Sequence, residues 1–319
     1  MGNATRMANA VRQFVVEPVR KRSGALFLLQ MAQLINDRGG GRYDALIQRV
    51  VSAFRPKTSL PPSRLMDEPA IASSVAMLRR RGWDILPWRV PADDLAELRN
   101  FAFTTPAYAL DPDERIPVTE ASMPQAKGRY MWRQSDLIRV SAVQKLVADG
   151  ALHRIAQDYL GCRPILTSIT LWVDPVSKET VDAHSYHYDN DGPSFLKFFI
   201  YLNDIDTESG AHAFIQGTHG HHKPAQFGRS GIYARDKLLN FYGAENEIVF
   251  KGPAGMILAE DTAGFHKGTT PSKGYRLLLQ LQFTSLDHPQ DEEFNGGLNK
   301  VRIDSLDPGI KRIASKFYA

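Results

Sequence analysis

The chain has 319 residues, of which 43% are hydrophobic and 23% charged, as is typical of a soluble globular protein with one large or two small domains. Its single cysteine, Cys162, excludes an intrachain disulfide. No apolar run approaches the roughly 20 residues that cross a bilayer, so we expect a cytoplasmic protein without a transmembrane segment.

The formal net charge of +4 is concentrated near the amino terminus. Residues 1–60 contain ten Lys or Arg and three Asp or Glu, a net charge of +7, which leaves −3 for the remainder. Such a segment could make peripheral contact with an anionic membrane, and it could equally be a solvated extension or an organellar transit peptide. We expect no nucleic-acid partner and leave the oligomeric state open.

Helical patterns come first along the chain. Apolar residues recur at helical spacing over residues 43–54, and residues 68–81 also predict a helix. Three prolines within residues 56–62 indicate a linker. We therefore divide the chain into a basic extension with helical segments, residues 1–62, and one domain, residues 63–319.

A short strand and two more helical regions follow. Residues 82–86 predict the strand, and Pro91 with Asp93 and Asp94 is typical of a helix start, where acidic side chains favour the positive end of the helix. Residues 140–160 predict one or two helices that end at Gly161.

From residue 165 to about 285, short alternating runs separated by Gly, Pro, Asn and Asp are typical of an all-β region. In the last predicted strand, residues 276–283, alternate side chains form one wholly apolar face and one mixed face that includes Arg276. We infer that such mixed faces line a cavity between two sheets, as in a jelly roll. The fold prediction is α+β, with a mainly β core, flanking amino-terminal helices, and strands at residues 165–173, 184–188, 196–202, 213–216, 247–250, 256–259 and 276–283.

The most informative motif is His187-Tyr188-Asp189. Positions i and i+2 of an extended strand point to the same side, so His187 and Asp189 can bind one ion together. His266 lies in a segment that looks extended, and two imidazoles with one carboxylate form the ligand set of a non-haem Fe(II). Arg276 has a planar guanidinium suited to the far carboxylate of an organic diacid. These residues suggest iron, a 2-oxo acid and dioxygen.

Other side chains share the inferred inner faces. Lys197, Tyr201 and Trp172 are predicted to contact the cosubstrate or the substrate, or to fill space beside them. The alternative for Arg276 is a salt bridge with an acid such as Asp261. The long connection over residues 222–247 predicts either a lid that selects the substrate or an ordinary surface excursion.

The remaining histidines suggest structural roles. His184 is predicted to lie on the face opposite His187, and His153 to be a surface or capping residue of its helix. The cluster His219, His221 and His222 predicts a turn with solvated imidazoles, because no carboxylate stands at ligand spacing from it.

Over residues 82 to about 287, the sequence resembles the phytanoyl-CoA dioxygenase family of Fe(II)/2-oxoglutarate oxygenases. The resemblance implies a double-stranded β-helix in which His187, Asp189 and His266 bind iron and Arg276 binds the distal carboxylate of 2-oxoglutarate. The motifs that carry it are Gly-Trp-Asp-Ile-Leu-Pro at 82–87, Asp-Tyr-Leu-Gly at 158–161, the His187 motif, Ile-Tyr-Leu-Asn-Asp at 200–204 followed by Gly210, Gln-Gly-Thr-His at 216–219, and His-Lys-Gly at 266–268 with Arg276 after it.

The function implied by the resemblance is hydroxylation of a small or lipid-like molecule, with release of succinate and carbon dioxide. A carboxylate at Asp189 favours hydroxylation, since halogenating relatives carry a small residue at that place. Two alternatives stay open: a non-catalytic jelly-roll module that binds a sugar or acyl group, and a cupin-type metal enzyme that uses no 2-oxo acid.

Overall fold

The structure is a computed structural model that describes residues 43–109, 115–125, 128–177, 182–220, 223–224, 226–227, 231–287, 300–304 and 306–319. The basic segment before residue 43 lies outside these ranges, so the hypotheses about it stay predictions. Within the described ranges, no helix is both long enough and apolar enough to span a membrane.

The helices predicted at residues 43–54, 68–81, from residue 91 and within 140–160 are confirmed, whereas those at Gln134–Leu137, Arg235–Tyr242 and Pro308–Ile313 were not predicted. The Asp67 side chain accepts a hydrogen bond from Ala70 N at the start of the second helix, and Gly82, with a φ of 88°, ends it in the left-handed conformation. The helices are α1 Asp44–Phe54, α2 Glu68–Arg81, α3 Ala92–Thr104, α4 Gln134–Leu137, α5 Ser141–Ala148, α6 Gly150–Leu160, α7 Arg235–Tyr242 and α8 Pro308–Ile313.

The strands form two antiparallel sheets. They are β1 Trp83–Ile85, β2 Ala107–Tyr108, β3 Arg115–Ile116, β4 Tyr130–Met131, β5 Ile165–Pro175, β6 Phe195–Tyr201, β7 His212–Ile215, β8 Glu247–Phe250, β9 Ile257–Glu260, β10 His266–Gly268 and β11 Tyr275–Thr284. The large sheet has the order β1-β9-β6-β11-β5-β4-β2-β3, and the small sheet has the order β10-β7-β8. An isolated bridge between His187 and His266 extends the small sheet beyond β10.

The chain alternates between the two sheets from β5 onward. After β5 in the large sheet it passes through the His187 segment of the small sheet, returns with β6, and continues through β7 and β8 to β9, then through β10 to β11. This alternation is the double-stranded β-helix, or jelly-roll, arrangement. The predicted α+β fold with a mainly β core is confirmed.

Each central strand of the large sheet has two different faces, as the sequence predicts. Leu277, Leu279 and Leu281 of β11 belong to the main core, which includes helical residues. Leu278 on the other face packs with Tyr201 and aromatic residues of the small sheet. The mixed faces therefore point into the space between the sheets, where the candidate site lies.

The structure departs from the predicted elements at three kinds of place. Residues 184–188 do not form a regular strand, because Asp182–His184 is a turn of 3-10 helix and only isolated bridges at Tyr186 and His187 follow. The strands β2, β3 and β4 were not predicted, since two residues are too few for an alternating pattern. The helix α7 lies within the long connection.

The first described helix contacts the body of the domain. Ile47 and Val51 belong to the main core, and the Gln48 side chain donates a hydrogen bond of 2.7 Å to Leu160 O at the end of α6. The division of the chain at residue 62 stays a prediction, and α1 packs against the domain that follows it.

His153 is a buried residue, so its predicted surface or capping role is wrong. It is 1% exposed, its Nε2 donates to Val147 O at 2.8 Å, and its ring meets Phe283 edge to face. The helix α6 packs against α2, β6 and α8, and this enclosure leaves little of its surface for solvent. Burial lowers the pKa of His153 to about 4.

We expect His153 to make the fold sensitive to acid. The free energy of unfolding should fall as the pH drops from about 6.5 toward about 4, because the unfolded chain binds a proton at His153 that the folded chain excludes. This one group contributes about 3 kcal/mol of the change. The substitution His153→Gln keeps a donor for Val147 O but cannot titrate.

Urea denaturation at about pH 4 and about pH 7 measures the effect. His153→Gln should lose this part of the pH dependence, whereas His219→Gln, at a histidine that is not fully buried, serves as the matched control. An unchanged pH dependence in His153→Gln would contradict the assignment.

Candidate metal centre

Three candidate ligands converge through main-chain pairing. His187 N donates to His266 O at 3.0 Å and His266 N donates to His187 O at 2.8 Å, while Asp189 N donates to Thr262 O at 2.8 Å. One ligand atom from each of His187, Asp189 and His266 lies within 4.8 Å of the others. The predicted metal triad is therefore brought together on two adjacent segments of the small sheet.

Main-chain carbonyls orient both imidazoles. His187 Nδ1 lies 2.8 Å from Ser185 O, and His266 Nδ1 lies 3.0 Å from Gly264 O. A carbonyl only accepts, so each Nδ1 carries the proton and each Nε2 keeps its lone pair. This arrangement is common around histidines that bind metals, where the second nitrogen fixes the ring.

The two Nε2 atoms face the same carboxylate. His187 Nε2 lies 3.7 Å from Asp189 Oδ1, and His266 Nε2 lies 3.4 Å from Asp189 Oδ2. Burial lowers the pKa of His266 to about 4, which keeps the imidazole neutral at neutral pH and able to donate its lone pair. Burial would raise the pKa of Asp189, but Lys197 and the imidazoles outweigh it and hold this pKa below its usual range.

Lys197 contacts the carboxylate of the candidate ligand Asp189. Its ammonium is 2.6 Å from Asp189 Oδ2 and 2.7 Å from Asp191 Oδ2. The two carboxylates outweigh burial and raise the pKa of Lys197 above its ordinary value. The side chain therefore acts as an internal counter-ion of the candidate metal site.

Arg276 is enclosed and paired. Its Nη2 lies 2.6 Å from Asp174 Oδ2 and its Nη1 donates to Gly210 O at 2.6 Å, in a side chain 2% exposed. The alternative of a salt bridge with an acid is therefore confirmed, but the acid is Asp174 on the neighbouring strand. Asp261, the example named from the sequence, instead accepts a hydrogen bond from Tyr159 Oη. The guanidinium also packs on Gly268, where any Cβ would collide with Nη2.

Trp172 and Tyr201 both occupy the space between the sheets. Trp172 Nε1 donates to Asp174 Oδ2 at 3.1 Å, which places it in the same cluster as Arg276. Tyr201 Oη donates to Phe250 O at 3.0 Å and accepts from His212 N at 3.3 Å, so it connects the two sheets. Their roles toward a cosubstrate stay predictions.

Several polar residues near the site were not predicted. His212 Nε2 lies 3.0 Å from the Glu260 carboxylate, and the His212 ring stacks at 5.5 Å from that of His266. Burial raises the pKa of Glu260 to about 8. Asp174, His212 and Glu260 each lie one residue beyond a predicted strand, so extending those strands by one position would have found them.

The described part of the 222–247 connection packs on the far side of the small sheet. Phe227 and Leu238 form a cluster with Tyr186 and Phe265, which are the chain neighbours of the candidate ligands His187 and His266 and point to the opposite side. Among the described residues of this segment, α7 therefore covers the outer face of the sheet and does not close over the ligands.

The other histidines have varied surroundings. The His184 side chain is buried, and its Nε2 donates to Asp174 Oδ1 at 3.3 Å. Its predicted place on the face opposite His187 assumed a strand, but the residue ends a 3-10 turn and contacts the partner of Arg276. His219 Nε2 lies 3.2 Å from Arg79 O. His221 and His222 lie outside the described residues, so the prediction of a solvated cluster is not tested.

No family model matches the chain, and no curated protein matches it. Among solved structures, the epimerase SnoN in complex with Fe3+, alpha ketoglutarate and nogalamycin RO is 14% identical, with a TM-score of 0.49 over 74% of this chain and 93% of that chain. EctD from S. alaskensis with bound Fe is 17% identical, with a TM-score of 0.47 over 74% and 86%. HygX from Streptomyces hygroscopicus, with nickel, 2-oxoglutarate and hygromycin B bound, is 15% identical, with a TM-score of 0.45 over 76% and 94%.

We expect Lys197→Met to make the protein more dependent on metal. Without the ammonium, Asp189 and Asp191 lack their buried counter-ion, so the metal-free protein should unfold more easily. Adding Ni²⁺ should then stabilise the variant more than the wild type, by about 3 °C or more in Tm. Thermal unfolding with and without Ni²⁺ measures this.

Lys237→Met, at an exposed lysine of α7, is the matched control and should respond to Ni²⁺ as the wild type does. An equal Ni²⁺ effect in Lys197→Met and wild type would show that Lys197 does not compete with the cation.

Proposed function

We propose that the protein is an Fe(II)- and 2-oxoglutarate-dependent dioxygenase that hydroxylates a small or lipid-like molecule. The observation that carries the proposal is the convergence of two imidazoles and one carboxylate, with ligand atoms within 4.8 Å. Both Nε2 lone pairs point to this place because both Nδ1 atoms donate to carbonyls. Such a donor set fits Fe(II) and leaves coordination positions open.

When bound, iron and 2-oxoglutarate supply the oxidising chemistry, in which dioxygen is consumed and succinate and carbon dioxide are released. The protein residues hold the metal, orient the bound molecules and shield them from water. His187, Asp189 and His266 hold the metal from one side. The reactive centre borders the apolar cluster between the sheets, which includes Phe199 and Leu258 and excludes water.

Arg276 is proposed to hold the distal carboxylate of 2-oxoglutarate. Its Nε is a buried donor without a hydrogen-bond partner among the described residues, which supports a ligand there. We further propose that Trp172 orients this cluster through Asp174, that Tyr201 forms part of the cavity wall, and that Lys197 orients the metal-binding carboxylate.

One observation favours a second candidate. Because Asp174 already pairs with Arg276, a ligand carboxylate is not needed to neutralise the guanidinium. This favours a metal-dependent jelly-roll enzyme that uses no 2-oxo acid. A binding module without turnover is less well supported, because a protein that only binds a sugar or acyl group does not need a complete set of metal ligands.

The triad should account for metal binding. We expect Asp189→Ala and His266→Ala to weaken Fe(II) binding by more than about 100-fold, since each removes a ligand. Anaerobic equilibrium dialysis with metal analysis measures occupancy, and His219→Ala serves as the control for loss of an imidazole outside the triad. Full occupancy in Asp189→Ala would remove this residue from the site.

The cosubstrate is tested by turnover and by titration. Purified protein with Fe(II) and 2-oxoglutarate should release succinate, at least slowly, without its substrate. Under anaerobic conditions, 2-oxoglutarate should give a visible charge-transfer band with the iron-loaded protein.

Arg276→Ala should mainly raise the 2-oxoglutarate concentration that is required for the band and for succinate release. Absence of both the band and succinate in the wild type would favour the second candidate.

A further inference from the structure

The buried guanidinium of Arg276 has a counter-ion built into the sheet. Arg276 and Asp174 are directly opposite each other on β11 and β5, and Nη2 lies 2.6 Å from Oδ2. Both side chains are almost completely enclosed, since they are 2% and 1% exposed. Taken alone, this pair is neutral and offers little attraction to a second carboxylate.

Asp174 is held too firmly to be displaced by a ligand. Its carboxylate accepts from Arg129 Nε at 2.7 Å and Arg129 Nη2 at 3.1 Å, and also from Trp172 and His184. Releasing it would leave charge-assisted hydrogen bonds unmade inside the protein, which is costly. A ligand must therefore bind with Asp174 still in place.

The charge that remains for a ligand comes from Arg129. Arg276 and Arg129 contribute +2 and Asp174 contributes −1, so these three groups together carry +1. Arg129 is mostly buried, with a side chain 17% exposed, so solvent screens this surplus only in part. Its guanidinium also lies over the Trp172 ring, 5.0 Å from the centroid, which restricts its position.

We propose that Arg129 is a specificity-determining residue that acts through Asp174 and makes this site select a 2-oxo acid with a second carboxylate. The inference rests on the proposed function. Arg276 contacts the ligand through Nε, which has no hydrogen-bond partner in the described part of the chain, while Arg129 supplies the surplus positive charge without touching the ligand. A 2-oxo acid that lacks the second carboxylate does not use this charge.

The test compares two ligands on the whole iron-loaded protein without oxygen. 2-Oxoglutarate and 2-oxopentanoate have the same chain length, and only the first has a distal carboxylate. Their dissociation constants are read from the charge-transfer band. Arg129→Met should weaken 2-oxoglutarate binding on the order of tenfold and leave 2-oxopentanoate binding unchanged.

A charge cycle separates this effect from simple damage to the fold. Asp174→Asn should tighten 2-oxoglutarate binding, and the double variant Arg129→Met/Asp174→Asn, with the original charge restored, should bind it about as the wild type does. Arg129→Lys keeps the charge and should also bind nearly as the wild type does. Arg133→Met, at an exposed arginine four residues later, is the matched control.

Three outcomes would overturn the inference. These are unchanged 2-oxoglutarate affinity in Arg129→Met, equal weakening of both ligands, or no recovery in the double variant when its metal occupancy and thermal unfolding match those of the wild type. A wild-type protein that gives no band with either acid would instead contradict the proposed function, so the two failures are distinguishable.

Discussion

The reciprocal main-chain pairing of His187 with His266 is the constraint on which the candidate site depends. Two hydrogen bonds of 3.0 and 2.8 Å join these residues, although the His187 segment forms no regular strand. Because side chains alternate along extended chain, a slip of one residue would turn one imidazole to the aromatic outer face. The hydrogen bond from Asp189 N to Thr262 O fixes the pairing of the same two segments two residues further along and keeps the Asp189 carboxylate on the inner side.

The space between the sheets contains an apolar wall and two clusters of paired charges, each of which keeps one charge in surplus. Lys197 lies between Asp189 and Asp191 at the candidate metal site and neutralises one of their two negative charges, and Arg129 with Arg276 surrounds Asp174 near the opposite strand ends. An unpaired buried charge is costly, so each of these groups has an internal partner. As a consequence, an incoming ligand is attracted only by the net charge that remains after each cluster has paired internally. At the candidate metal site, an incoming cation would compete with the ammonium of Lys197. At Arg276, an anion meets a guanidinium that is already paired.

Much of the fold and the centre of the site could be predicted from the sequence, and the errors have a common cause. Hydrophobic alternation located the main strands and identified their inner faces. It failed at strand ends, where Asp174, His212 and Glu260 were each left out by one residue. A polar residue at the end of an apolar run is assigned by its sequence pattern to the loop that follows, not to the strand. In this fold they are the inward-facing positions closest to the chemistry, so a pattern that relies on apolar residues excludes them.

The sequence by itself determined the ligand types and their faces, because the spacing of His187 and Asp189 and the alternation along residues 276–283 are local properties of extended chain. Only the tertiary structure decided which distant groups become partners. Arg276 pairs with Asp174 and not with Asp261, and Lys197 lies on Asp189, because sheet register brings these groups together over separations of 102 and 8 residues. His153 shows the same limit, since its burial follows from how α6 packs and not from its neighbours in sequence. Local spacing is encoded in adjacent residues, whereas burial and charge pairing depend on the whole packed sheet.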